Sequence, residues 1–198
     1  MTKYTKEVRE HFETAPAFTI TDLRVFLGKK SIGNEYLHLL VHNLLARGEL
    51  KRISRGVYTF RGDAQVVGFG FSPFYYGLQE ALSLRNLWEQ ETNPVVITPR
   101  NVRSGLRNFQ GANYVVRRIN RRMFFGFDTI RYGDFWIPVS DIEKTLIDLV
   151  YFRQPLSAET IAEIKPRLDR KKLEGYLKRC PAWVKKRLFN RIDRQISR

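Results

Sequence analysis

Apolar and polar positions alternate in two regimes along the chain, helical spacing at both ends and strand-like clusters between. From Thr5 to Thr14, Val8 and Phe12 stand at i, i+4, which predicts a short amphipathic helix ending before Pro16. Thr21-Asp22-Leu23 supplies an N-cap for a second helix carrying Leu23, Phe26 and Leu27, with Gly28 as its C′ residue. Ser31 is placed to cap a third helix running to about Arg47 and stopped by Gly48. Its apolar stripe is Leu37, Leu40, Val41, Leu44 and Leu45, extended by Ile32 and Tyr36. Ser31, Asn34, Glu35, His38 and His42 form the opposite, polar face. Two short strands follow, Leu50 with Ile53 and then Val57, Tyr58 and Phe60, joined by Ser54-Arg55-Gly56, where glycine supplies φ > 0. Three helices and a basic hairpin predict a winged helix-turn-helix domain over residues 1–62.

Gly62-Asp63-Ala64-Gln65 reads as a short linker, and a second domain is expected over 67–198. Ser72-Pro73 has the form of a helix start, Ser72 as N-cap and Pro73 at the first position, continuing through Leu78, Ala81 and Leu82 towards Leu87 and Trp88. Strands are expected at Val95–Thr98, Tyr114–Val116, Met123–Phe127 and Phe135–Val139. Turns fall at Asn93-Pro94, Gly111-Ala112-Asn113, Ile119-Asn120-Arg121 and Tyr132-Gly133-Asp134. The expected sheet is small, mixed but mostly antiparallel, and rich in aromatic residues. Ser140-Asp141-Ile142-Glu143 fits a capping box, with Ser140 as N-cap and Glu143 reaching back. The helix it opens carries Ile142, Leu146, Leu149 and Val150. Three more helices are expected from Ser157 to Lys165, from Leu168 to Lys178 and from Pro181 onward, the last with Val184, Leu188 and Ile192 in an apolar line. The fold class is therefore α+β: a winged helix-turn-helix, then a sheet domain with C-terminal helices.

Charge sharpens this picture. The 198 residues carry a net charge of +15, which calls for a polyanionic partner. The net is +4 over 1–66 (11 basic, 7 acidic), +3 over 67–154 (11 and 8) and +8 over 155–198 (13 and 5). On the N-terminal unit, Lys29, Lys30 and Ser31 stand at the positive end of the third helix, a place suited to phosphate. Asn34 and His38, with Glu35 and His42 beside them, offer groups able to read base edges, while Arg52 and Arg55 on the hairpin can reach phosphates or a minor groove. The blander alternatives are a merely solvated face or a protein-docking module. Glu35, His38 and His42 share one face, but the segment lacks the glutamate of the zinc-protease motif and no further ligand suggests itself, so no metal is expected. Cys180 is the only cysteine, which removes internal disulfides and thiolate zinc sites. The N-terminus lacks the apolar stretch of a signal peptide and no apolar run approaches the ~20 residues of a membrane span, so a cytoplasmic protein without membrane contact is expected.

Several strings taken in order resemble a known family. Arg55-Gly56-Val57-Tyr58 closes the first unit, and Ser72-Pro73-Phe74-Tyr75-Tyr76-Gly77-Leu78-Gln79-Glu80-Ala81-Leu82 opens the second. Thr98-Pro99 and Val139-Ser140-Asp141-Ile142-Glu143-Lys144-Thr145-Leu146-Ile147-Asp148 follow. Together they resemble the AbiEi family of antitoxin transcriptional regulators over roughly residues 15–155. The resemblance implies a repressor that binds an inverted repeat in its own promoter, in duplex DNA. It also implies an antitoxin whose C-terminal domain neutralises a nucleotidyltransferase-like toxin encoded beside it. No cofactor is implied, and Ser140, Asp141, Glu143, Lys144 and Asp148 are read as the family's structural motif.

The rival reading is a Mg²⁺-dependent nuclease of restriction-enzyme type built on Asp141, Glu143 and Lys144. That chemistry draws its acids and lysine from one strand, where i and i+2 share a face, whereas the capping box puts these three in a first helical turn. No nucleophile elbow, phosphate loop or dinucleotide fingerprint occurs: Gly68-Phe69-Gly70 lacks the third glycine, and Cys180 has no evident base nearby. An enzyme is therefore not expected. The aromatics Phe69, Phe71, Phe74, Tyr75, Tyr76, Phe124, Phe125 and Phe127 are read as filling between sheet and helices.

Overall fold

A computed structural model describes residues 4–28, 32–88, 92–155 and 157–196, with side chains to residue 190. The N-terminal unit runs α1 (Thr5–Phe12), β1 (Phe18–Thr19), α2 (Ile20–Gly28), α3 (Asn34–Ala46), β2 (Lys51–Ser54) and β3 (Val57–Thr59). The i, i+4 pair Val8 and Phe12 is buried, and with Leu23 and Leu27 of α2 and Leu37, Leu40, Val41 and Leu44 of α3 it makes one core. Fully burying such a side chain contributes roughly 1.5–3 kcal/mol before entropy is counted. The strands form an antiparallel sheet in the order β1-β3-β2, so Phe18 pairs with Tyr58, and Gly56 at φ +78° makes the expected turn.

Two helix starts differ from expectation. The cap of α2 is Thr19, two residues earlier than Thr21. Its amide and hydroxyl donate to Asp22 Oδ2 at 2.7 and 2.8 Å, and the Asp22 amide donates back to Thr19 Oγ1 at 3.2 Å. Pairing of Phe18 and Thr19 with β3 fixes those residues as strand, so the helix begins directly after them. Helix α3 begins at Asn34 with Gly33 as N-cap and no side-chain hydrogen bond there. The expected cap, Ser31, lies outside the described residues, as do Lys29 and Lys30.

Beyond Asp63, residues 64–71 form a 3₁₀ stretch in which Val66, Val67 and Phe71 are buried. Next come β4 (Tyr75–Tyr76), α4 (Gln79–Leu84), β5 (Val95–Thr98), β6 (Gly105–Phe109), β7 (Ala112–Arg118), β8 (Phe127–Tyr132) and β9 (Phe135–Ser140). Helices α5 (Ile142–Tyr151), α6 (Ala158–Ile164), α7 (Arg170–Leu177) and α8 (Ala182–Ile196) complete the chain, so the protein is α+β. The large sheet has the order β6-β7-β5-β4-β9-β8 and is mixed: β5 pairs with β7, and β4 with β9, in parallel, while the other neighbours are antiparallel. Strand alternation splits the core. Tyr76, Val96, Val116 and Val139 meet the 64–71 stretch on one face. Tyr75, Val95 and Ile97 meet α5 and the C-terminal helices on the other, through Leu146, Leu149, Leu173, Leu177, Val184 and Leu188.

The helix expected to start at Ser72 does not form there. Ser72-Pro73 is a cis peptide, and Tyr75 and Tyr76 form the central strand β4, buried on opposite faces as only period-2 geometry allows. The helix is confined to Gln79–Leu84. Met123–Phe127 is not a strand either: residues 121–123 make a 3₁₀ turn capped by Asn120 Oδ1, and pairing starts only at Phe127. The β6–β7 turn is Gln110-Gly111, both at positive φ, which leaves Ala112 and Asn113 in β7. Strands β6 and β8 were not expected. They are the two sheet edges: β8 is mostly exposed and β6 buries only Phe109, so neither carries a clear apolar alternation.

The hairpin of the first unit rests on the second. Ile53 shares a core with Val66 and Phe71, and Ser54 Oγ donates to the Gly70 carbonyl at 3.1 Å. Gly70 has no room for a side chain there, since a Cβ would lie 2.7 Å from Ile53. Arg61 ties the other end, donating to Asp63 at 3.0 Å and to Asp134 at 2.9 Å, with its guanidinium 4.8 Å above the Phe135 ring.

Candidate functional site

Burial of Leu37, Leu40, Val41 and Leu44 turns the opposite side of α3 outward. Asn34, Glu35, His38 and His42 are all exposed on it. Asn34 Oδ1 accepts from Arg24 Nε of α2 at 3.1 Å, bringing to the start of this face a cation that the spacing of residues does not reveal. On the hairpin, Arg52 and Arg55 are exposed, with Arg52 Nε donating to the Ser54 carbonyl at 3.3 Å. Amide and imidazole groups on an exposed helix, flanked by guanidinium groups on a turn, can hydrogen-bond base edges and phosphates respectively.

The second constellation lies at the joint of β9 and α5. Ser140 is the last residue of β9, paired with Phe127, so it cannot cap the helix as expected. Asp141 is the N-cap instead, its Oδ1 accepting from the Lys144 amide at 2.8 Å. Its Oδ2 accepts from the Tyr176 hydroxyl at 2.8 Å and pairs with Lys172 at 3.1 Å. Glu143 does not reach back to Ser140. Its Oε1 accepts from the Asp169 amide at 2.9 Å, and its Oε2 faces Lys172 Nζ at 3.3 Å. Ser140 Oγ instead meets Thr145 Oγ1 at 2.7 Å.

One turn further, Lys144 and Asp148 are an i, i+4 ion pair without solvent exposure. Lys144 Nζ also donates to the Tyr75 hydroxyl at 3.0 Å, and that hydroxyl donates to Asp148 Oδ2 at 2.8 Å. The rings of Tyr75 and Phe125 stand 5.3 and 5.2 Å from the ammonium. Burial lowers the Lys144 pKa against the pull of Asp148, and it raises that of Asp148 against the pull of Lys144. Burial also raises the Tyr75 phenol well above its ordinary value. Near the surface, burial and Asp141 push Tyr176 up to about 12. Lys172 is raised despite its desolvation, because Asp141 and Glu143 favour its charge.

These contacts say what the motif does chemically. Every carboxylate oxygen of Asp141 and Glu143 already meets an amide, a hydroxyl or Lys172, and Lys144 faces inward to Asp148. The cluster ties α5 to β9, β4 and α7; it leaves no pair of acids converging on an open metal position. Among the described residues no group of three or more His, Cys, Asp and Glu is arranged to hold a metal. Cys180 is a buried thiol donating to the Tyr176 carbonyl at 3.3 Å, with burial raising its pKa. Phe71, Phe74, Tyr75, Tyr76 and Phe125 are buried in the cores, as expected of packing aromatics, and only Phe127 of that set is exposed.

Tyr75 is read from sequence only as a packing aromatic, and Lys172 and Tyr176 carry no sequence signal, because the partners of all three lie 29 to 73 positions away. A second omission had a signal. From Asn93 to Phe127 the chain has seven arginines and no aspartate or glutamate. Summing charge over a longer window, which includes Glu80, Glu89 and Glu91, hid this run. Among the described residues no helix is long and apolar enough to cross a membrane. No protein-family model matches this chain, and no curated protein matches it.

Proposed function

We propose that the N-terminal unit is a winged helix-turn-helix that binds duplex DNA, with α3 in the major groove and the β2–β3 hairpin on the flanking backbone. The observation that carries this reading is the outward face of α3, with Asn34, His38 and His42 exposed beside the Arg52–Arg55 hairpin. The order helix, strand, helix, helix, hairpin and the net charge of +15 support it. We further propose, on the resemblance to AbiEi proteins, that the chain represses its own operon through an inverted repeat and neutralises a nucleotidyltransferase-like toxin encoded next to it. The buried Asp141–Asp148 cluster then serves as the structural joint of the antitoxin part.

Binding to the DNA upstream of the protein's own gene tests the first claim. Asn34→Ala or His38→Ala should each change sequence preference by about 1–3 kcal/mol for every base edge that goes unread. Arg55→Ala should weaken all sequences alike and reduce the salt slope by about one unit. Unchanged binding in all three variants would remove α3 as the reading element. For the second claim, the full chain carrying Asn34→Ala and His38→Ala should still relieve growth arrest when produced with the neighbouring toxin. Continued arrest with that variant and with the wild type alike would refute the antitoxin reading.

A further inference from the structure

We propose that the open edge of β8 is a self-association surface, on which a second copy of this chain lays its own β8 antiparallel with Thr129 on the two-fold axis. The inference is independent of the reading of α3 and adds a partner other than nucleic acid.

The phase of the β8–β9 ladder decides which backbone groups are free to pair. The Asp141 amide donates to the Gly126 carbonyl at 3.0 Å, one step before the Phe127–Ser140 pair of the same register. Hydrogen-bonded and non-hydrogen-bonded pairs alternate along an antiparallel ladder. Asp128, Ile130 and Tyr132 therefore turn their amides and carbonyls inward to β9, and Phe127, Thr129 and Arg131 turn theirs outward. Pro138 fits this phase, since it stands opposite Thr129 and has no amide hydrogen to give. Among the described residues β9 is the only strand beside β8, and the outward groups of Phe127, Thr129 and Arg131 bond to no other element.

These three residues are symmetric about Thr129, as an isologous contact requires. With the axis there, Thr129 faces its own copy and Phe127 faces Arg131 of the second copy, on both sides of the axis. Each of these pairs exchanges both backbone hydrogen bonds. An axis at Asp128 would set two carboxylates against each other, and one at Ile130 would leave Phe127 opposite Gly133, outside the strand.

Side chains along the edge match this register. Phe127, Thr129 and Arg131 are exposed on the sheet face that also carries Trp136, the ladder partner of Arg131. Trp136 at 60 % and Phe127 at 36 % exposure are large apolar groups left open to solvent. The Phe127 ring is held in place, stacked on Tyr75 with centroids 5.0 Å apart, and Arg131 Nε donates to the Gly133 carbonyl at 3.0 Å. Across the axis the guanidinium of one copy meets the Phe127 ring of the other, with its own Trp136 beside it, a favourable cation–ring contact made twice. Asp128, the one acid of the strand, is already paired with Arg85. The register from Phe127 to Tyr132 runs without a bulge, and the strand has no lysine or proline to blunt its free edge.

The test uses the full chain without nucleic acid, in sedimentation velocity over a wide concentration range. Salt at about 0.15 M limits the repulsion between two chains of like charge to a range of about 8 Å. Wild type should pass from monomer to dimer as concentration rises. Thr129→Lys puts two ammonium groups at the axis and should stay monomeric over the same range, with its melting temperature at dilution as the control for folding. Thr129→Cys reads the register itself. Opposed Cα atoms of a hydrogen-bonded pair stand about 5.5 Å apart, within disulfide reach, so air oxidation should yield a covalent dimer. Arg131→Cys, which faces Phe127 instead of its own copy, should not cross-link; the buried Cys180 is a background common to both variants. Wild type that stays monomeric throughout, a dimer that persists in Thr129→Lys, or a cross-link through Arg131→Cys but not Thr129→Cys would each overturn the proposal. None of these outcomes touches the reading of α3.

Discussion

Lys144 is fully buried, which an ammonium tolerates only with a partner. Asp148 supplies the opposite charge, and the Tyr75 hydroxyl completes the triangle by accepting from the lysine and donating to the carboxylate. Removing one member strands the other. Lys144→Met should therefore cost about 3–5 kcal/mol in chemical denaturation, and Lys144→Met combined with Asp148→Leu should recover most of that stability. Losses from Lys144→Met and Asp148→Leu that simply add in the double variant would show that the pair is not coupled. The i, i+4 spacing of Lys144 and Asp148 made local pairing legible from sequence. Tyr75 was illegible, because it meets them only once β4 lies beside β9.

At the scale of elements, helix α5 shows how a cap can act beyond its own helix. Asp141 takes the Lys144 amide with one oxygen and the Tyr176 hydroxyl of α7 with the other, fixing the start of α5 and the position of α7 together. Burial and the Asp141 charge hold the Tyr176 phenol at about 12. In a spectrophotometric titration Asp141→Asn should move that phenol down towards the ordinary tyrosine value, and Tyr176→Phe should remove the transition. No change on Asp141→Asn would mean that Asp141 does not govern Tyr176. Helices were the more legible elements. Val8 and Phe12, the α3 stripe, the helix expected from Ser157 to Lys165 and the Val184–Leu188 line all stand as the spacing implied. Strands at sheet edges, and the two-residue strand Tyr75–Tyr76, lack the run of alternation from which a strand is read. A Ser-Pro pair then gave the wrong signal for a helix.

Across the whole molecule, the basic character is unevenly placed and the two halves are joined at both ends of the hairpin. At one end Arg61 holds Asp134, whose pKa is lowered chiefly by that hydrogen bond. A lowered carboxylate contributes its stabilisation in full above the ordinary aspartate range and loses it as pH falls through the depressed value. In a carbon-detected NMR titration Asp134 should therefore titrate below an ordinary aspartate and return to that range in Arg61→Ala. An ordinary titration in the wild type would show that the junction does not rest on this pair. At the other end, the Gly70 carbonyl accepts from both Ser54 of the hairpin and Arg100. That juxtaposition was beyond the sequence, although the acid-free run from Asn93 to Phe127 was visible in it.

The proposal that α3 reads DNA is tested most directly by backbone amide shifts as duplex from upstream of the protein's own gene is added. The shifts should concentrate on residues 34–42 of α3 and 52–57 of the hairpin. If the 34–42 and 52–57 amides stay still while DNA binds elsewhere, for instance along α8, the outward face of α3 is not a reading head.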